Sequence, residues 1–219
     1  MADTHDPELP GLLLRTERDA LIPLLRSRPD DDFALSTCCP GWTVRDVLAH
    51  CGSALMRVIE SRFEEGAFSP EGNDRDIAER ASWSNQEVVD ELERAMGEAG
   101  PVIAKSGGLF DAVALGEWIH AGDVREALGE PGAYAGEGLA YALDLLVLTS
   151  QQGNGIPVHA DLDGRDEPLV LGVASGERTP ARFIGDAATL VRLCAGRPVI
   201  GVRYELAGAK VAELNLFGG

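Results

Sequence analysis

Three side chains in this sequence have types and spacing that suit metal chemistry: His50 in "PGWTVRDVLAHC", and Glu117 with His120 in "GEWIHAGD". On a helix, residues three apart stand one turn above each other, so Glu117 and His120 share a face. A carboxylate on a buried face must be paired, protonated or metal-bound, because an uncompensated buried charge is costly. Two imidazoles and one carboxylate suit zinc, nickel or iron better than magnesium or calcium. Three protein ligands would leave a coordination position open, as catalytic rather than structural zinc sites do. The same residues also fit a plainer account. His50 then sits at the rim of an apolar stripe, and Glu117 with His120 forms a buried hydrogen-bonded pair. Asp123, three residues after His120, either bonds a ring nitrogen or faces solvent.

The elements that must position these groups are readable from periodicity. Thr43 fits an N-cap, with Asp46 three residues on as its capping-box partner, so a helix starts at Val44 and runs to about Glu64. At about 100° per residue, Val44, Val47, Leu48, Cys51, Leu55, Val58 and Ile59 share one side. His50 lies beside that stripe, next to Ala54, facing a groove between helices. A later helix, over about 110–128, puts Val113, Glu117, His120, Ala121, Val124 and Leu128 on one face and stops at Gly129, with Pro131 beyond.

Around these two, "PELPGLLLRTERDALIPLLRSRP" reads as a first helix with Leu12, Leu13, Leu21, Leu24 and Leu25 inward, stopping at Pro29. "SPEGNDRD" reads as a loop. Ser84 opens a helix through "NQEVVDELERAMGEAGPVIAK", weakened at Gly100-Pro101, and a further helix spans about Glu137 to Gln151. After "QQGNGIP" the period changes to two. "VHADLDG" and "PLVLGVAS" read as strands, with Asp-Gly and Ser-Gly turns. "DAATLVRLCAGRP" reads as one helix ending at Gly196, and "VIGVRYELAG" with "KVAELNLF" as a closing hairpin. The expected organisation is a helical bundle with the metal site over 1–152 and a small α/β domain over 153–219. Of the other histidines, His5 falls in a start expected to be disordered and His159 on a strand.

Composition narrows the partners. The chain has 219 residues, 19 basic against 36 acidic, for a formal charge of −17. Such a surface repels phosphate backbones and anionic lipid, which excludes nucleic acid and membrane as partners. "YALDLLVLTS" is broken by Asp144 and too short to span a bilayer, and no signal-peptide pattern opens the chain. Cys38, Cys39, Cys51 and Cys194 form neither a CxxC pair nor a secreted framework, which points to a reducing cytoplasm. Composition leaves the oligomeric state open.

"GWTVRDVLAH" resembles the second-helix signature of DinB-like four-helix bundles, in particular the mycothiol-dependent maleylpyruvate isomerase family of actinobacteria. "GEWIHAGDVREALG" is similar to that family's later metal helix. "GDAATLVRLCAGRP" followed by two strands is similar to its small α/β, sterol-carrier-like domain. The resemblance covers nearly the whole chain and implies a mainly α fold: a DinB-like four-helix bundle followed by a small α/β C-terminal domain. It implies a divalent metal, zinc first, held by His50, Glu117 and His120. One departure stands out: the family's acidic ligand precedes the histidine by four residues, where this chain has Gly116. The resemblance also implies a supporting catalytic arginine in the small domain, matched by Arg197 in "AGRP" and, as second choice, Arg192. By position alone Arg197 reads equally as a helix C-terminal charge favoured by the dipole.

The implied chemistry uses mycothiol as cosubstrate. A metal-activated thiolate attacks a small electrophilic substrate, either isomerising a cis double bond by addition, rotation and elimination, or staying attached as an S-transfer product. None of the four cysteines is needed as nucleophile, and Cys51 is read as packing. Two other classes remain open: a non-catalytic ligand-binding or interaction module with a degenerate metal site, which Gly116 favours, and a hydrolase using metal-activated water.

Overall fold

The computed structural model describes residues 5–153, 155–174 and 178–217. It divides into two compact units, Met1–Gly138 and Leu139–Gly219. The expected change of period at Gly153 therefore falls inside the second unit, whose first element is a helix. As expected, the architecture is a four-helix bundle followed by a small α/β unit.

The bundle is built from α1 (Leu9–Arg26), α2 (Val44–Glu60), α4 (Asn85–Glu98) and α6 (Asp111–Ala127), with α3 (Pro70–Glu79) and α5 (Gly100–Ala104) as short additions. In the ring, α2 packs on α4 and α6, and α1 packs on the same two. The apolar stripe of α1 is rotated from the expected one. Leu13, Leu14, Leu21, Ile22 and Leu25 are buried, while Leu12 and Leu24 line a cavity of about 860 Å³ instead. The α2 stripe is buried as read, apart from half-buried Ile59, and Thr43 with Asp46 forms the full capping box.

The segment read as a loop is partly the helix α3. Ser69 caps it by accepting from the Gly72 N–H, and Pro70 occupies its first turn. Its fastening is polar, which is why hydrophobic periodicity misses it. Asp76 takes a two-pronged bond from Arg57 of α2, one prong being Nε to Oδ2 at 3.0 Å, and both side chains are buried. Arg57 also reaches Glu64, and Arg80 reaches Glu91 of α4. Burial raises the Asp76 carboxyl, but Arg57's hydrogen bond and charge more than offset it and hold the group below its usual range.

In the second unit, α7 (Leu139–Gln152) packs against β2 (Leu169–Leu171) and α8 (Ala187–Cys194). The sheet order is β2, β1 (Val158–Leu162), β3 (Ala181–Gly185), β4 (Glu205–Ala207), with β1 and β3 parallel and the outer pairs antiparallel. Alternation along β1 buries Val158, Ala160 and Leu162 and leaves His159 exposed. The closing hairpin does not form. After β4 the chain turns at Gly208, and Glu213 accepts from the Lys210 N–H to close a 3-10 turn, Val211–Leu214, where a strand was expected. The expected Ser175-Gly176 turn lies outside the described residues.

His5 is not loose. Its Nε2 lies 2.7 Å from Oδ2 of the fully buried Asp111 at the start of α6, which corrects the expectation of a disordered start at that residue. Among the described residues no helix is long and apolar enough to cross a membrane.

Candidate metal centre

The site is assembled from α2, α6 and the loop before α2. That loop closes on itself: Ser36 and Thr43 form an antiparallel bridge, the Thr37 N–H bonds the Trp42 carbonyl at 3.0 Å, and the Trp42 N–H bonds the Cys39 carbonyl at 3.1 Å. Gly41 supplies the positive φ of +80° that the tight turn requires. Because Thr43 then caps α2, the positions of Cys38, Cys39, Trp42 and His50 are coupled.

His50 and His120 come together as the sequence suggested. Their rings meet edge to face with centroids 5.2 Å apart, and the Trp42 indole lies 5.0 Å from His50 and 6.2 Å from His120. Both histidines are half-buried. Glu117, one turn before His120, is only 3% exposed. Its carboxyl bonds the Cys51 thiol, and burial pushes it up to about 8 although the Cys51 bond works in the opposite direction. Its Oε2 has no hydrogen-bond partner among the described residues. A buried carboxyl oxygen left over one helical turn before His120 is a donor of the kind a divalent ion takes. Cys51 thus does more than pack, since it links Glu117 of α6 to α2.

Asp123 takes the first of its two expected alternatives. It is fully buried, and His120 Nδ1 lies 3.0 Å from its Oδ2. Three further donors meet it: Cys38 Sγ at 3.0 Å from Oδ1, Cys39 Sγ at 3.3 Å from Oδ2, and the Tyr134 hydroxyl on Oδ1. Burial and the neighbouring Asp123 charge push the Tyr134 phenol far above its ordinary value. Cys38, Cys39 and Asp123 also form a group that could hold a metal ion, their ligand atoms all within 4.8 Å of one another. Periodicity could not foresee Cys38, Cys39 or Tyr134, because loops that turn back carry no period. One signal was present: Gly122, in mid-helix, leaves room where any Cβ would overlap the Tyr134 ring.

Arg197 lies in the second unit, just past α8. Its N–H bonds the Arg192 carbonyl at 2.8 Å and its Nη1 the Ala195 carbonyl at 3.2 Å, a C-terminal capping arrangement. Arg192 reaches the Pro198 carbonyl at 2.5 Å.

Residues 14–102, from α1 through most of α5, match the family model of the mycothiol maleylpyruvate isomerase N-terminal domain. The match covers less than half of the chain. It includes His50 and the cysteine loop but stops before α6. Two solved structures share the fold over almost the full length. One is the mycothiol-dependent maleylpyruvate isomerase, at a TM-score of 0.57 and 18% identity, covering 92% of this chain and 93% of that one. The other is a histidine-to-alanine mutant of that enzyme, at a TM-score of 0.56, with the same identity and coverage. No curated protein sequence matches the chain.

Proposed function

We propose that this protein is a metal- and mycothiol-dependent isomerase or S-transferase acting on a small electrophile in the cytoplasm, with zinc held by His50, Glu117 and His120. The observation that carries the reading is the meeting of the two imidazoles beside Trp42, on a bundle whose first helices match the mycothiol maleylpyruvate isomerase N-terminal model. A divalent ion in such a place lowers the pKa of a thiol offered to it, so that thiolate is available at neutral pH.

The chain's own residues prepare that step. Asp123 as a carboxylate only accepts hydrogen bonds, so His120 Nδ1 is the donor in their contact and Nε2 is the nitrogen left to meet a metal. His50 supplies the second imidazole, and the Trp42 indole lies against both rings. Glu117, raised to about 8, holds a proton near neutral pH and must release it to act as a ligand. The thiolate adds to the electrophile. Where the substrate is a cis alkene, rotation and elimination return the thiolate and the trans isomer; where the adduct carbanion instead takes a proton from solvent, the thioether is the product. Arg197 supports turnover in this reading, so Arg197→Ala lowers kcat and leaves zinc content unchanged.

Zinc analysis of protein prepared without chelators, paired with thermal shifts by mycothiol with and without zinc, tests the proposal. It expects about one zinc per chain and a mycothiol-induced rise in Tm only when zinc is present. Absence of bound zinc together with no uptake on titration overturns it. One arrangement favours the non-catalytic module instead: Gly116 stands where the family's acidic ligand would be, while Glu117 bonds Cys51. Zinc uptake that appears only in Gly116→Glu would decide for that module.

A further inference from the structure

Asp123 is outside the proposed ligand set, yet its surroundings are unusually complete. A carboxylate offers about four lone-pair sites. Here Oδ1 takes the Tyr134 hydroxyl and the Cys38 thiol, and Oδ2 takes His120 Nδ1 and the Cys39 thiol. The four donors come from three parts of the bundle: the loop before α2, α6 itself, and the loop after α6. Gly122 is what lets the last of these approach, since a side chain there would displace the Tyr134 ring.

The alternative use of this cluster is as a metal site of its own, with both thiols and Asp123 as ligands. That use would require both thiols to lose their protons. Asp123 would then meet the ion through the lone pairs that the two S–H groups occupy here. The observed hydrogen bonds favour the carboxylate as an acceptor.

We propose that Asp123 is a positioning residue that fixes His120 in the Nδ1–H tautomer with Nε2 as its electron-pair donor, and that Cys38, Cys39 and Tyr134 hold Asp123 for this task. Its consequence for metal affinity rests on His120 being a ligand, as proposed above; its consequence for the tautomer does not. Carboxylates that hold the far nitrogen of a ligating histidine fix ring orientation and raise basicity, and their loss weakens metal binding by about 10- to 100-fold.

Nitrogen NMR of histidine-labelled, chelator-treated protein reads the tautomer, and competition with a chromophoric chelator reads zinc affinity. Wild type is expected to show His120 as Nδ1–H. Asp123→Ala is expected to populate both tautomers and bind zinc about 10- to 100-fold more weakly. If Asp123→Ala fails to fold, Tyr134→Phe serves, with a smaller loss in the same direction on both readouts. An unchanged tautomer in the folded variant overturns the inference. Wild type that binds no zinc overturns the ligand reading, while the tautomer still decides the role of Asp123. Zinc lost from a Cys38→Ser, Cys39→Ser double variant whose His120 tautomer stays fixed would place the ion on the thiols and overturn their assignment as holders of Asp123.

Discussion

Two buried polar clusters share α2, and they are neutralised by different means. Near the helix end, Arg57 answers Asp76 and Glu64, and Arg80 answers Glu91, so each carboxylate meets a permanent cation. Seven residues earlier, around His50, the carboxyls of Glu117 and Asp123 meet thiols, a phenol and an imidazole. A guanidinium does not give up its proton in a protein, whereas a thiol or an imidazole does, and either then becomes a metal ligand. The first cluster is fitted to fasten α3 and α4 to α2. The second has the exchangeable protons that chemistry requires.

The largest effect should come from breaking the fastening cluster. Asp76→Ala leaves Arg57 buried without its two-pronged partner and should cost about 3–5 kcal/mol in chemical denaturation. Asp76 is held below its usual range when folded. Its contribution is therefore complete above the unfolded value of about 4 and is lost as pH falls through the folded value. Asp76→Asn should flatten that part of the acid limb, which denaturation across pH would show.

At the other cluster the main loss should be zinc rather than fold. His50→Ala and His120→Ala should each stay folded and lose zinc-dependent stabilisation, worth about 2.7 kcal/mol for wild type at a hundredfold excess over Kd. Calorimetry with and without zinc measures this. Persistence of the zinc effect in both variants would place the ion elsewhere. A smaller effect is expected for Glu117→Gln in chelator-treated protein: within about 1 kcal/mol of wild type at about pH 4, where the carboxyl is largely protonated in the folded and the unfolded chain alike. Because the folded value is raised to about 8, wild type alone should lose stability as pH climbs from the unfolded range toward that value. The Gln variant should therefore be the more stable one already at neutral pH, and the gap should stop widening above about 8. The mildest change is Gly116→Glu, whose Cβ meets nothing within 4 Å. Removing a mid-helix glycine should add about 0.5 kcal/mol, and a carboxyl four residues before His120 should tighten zinc.

What the sequence could reveal followed the kind of force at work. Thr43 and Asp46 announce the start of α2 because a capping box is local, and the α2 stripe follows because burial is periodic. The same logic sets His50 beside the α2 stripe and His120 on the α6 face, but it cannot place the two helices against each other, which the fold does. It is silent on α3, which has few apolar residues and is held by the Arg57–Asp76 pair nineteen positions away. It misplaces the chain end, where a local Lys210–Glu213 bond prevails over alternating hydrophobicity. At the site, His50, Glu117 and His120 lie on regular helices, where periodicity can single them out. Cys38, Cys39 and Tyr134 arrive on loops from 84 residues before His120's helix partner Asp123 and 11 residues after it, so only the folded chain shows them converging.

The position of Trp42 has an optical consequence. Indole emission is quenched or shifted by a nearby imidazolium or metal, and this indole lies 5.0 Å and 6.2 Å from the two imidazoles. The chain's other tryptophans are Trp118, buried among apolar side chains, and Trp83, beside Arg80. With those two changed to phenylalanine, the protein would carry a single built-in fluorophore over the histidine pair. Its emission would then follow protonation, metal entry and thiol arrival at that place in real time, with no label added.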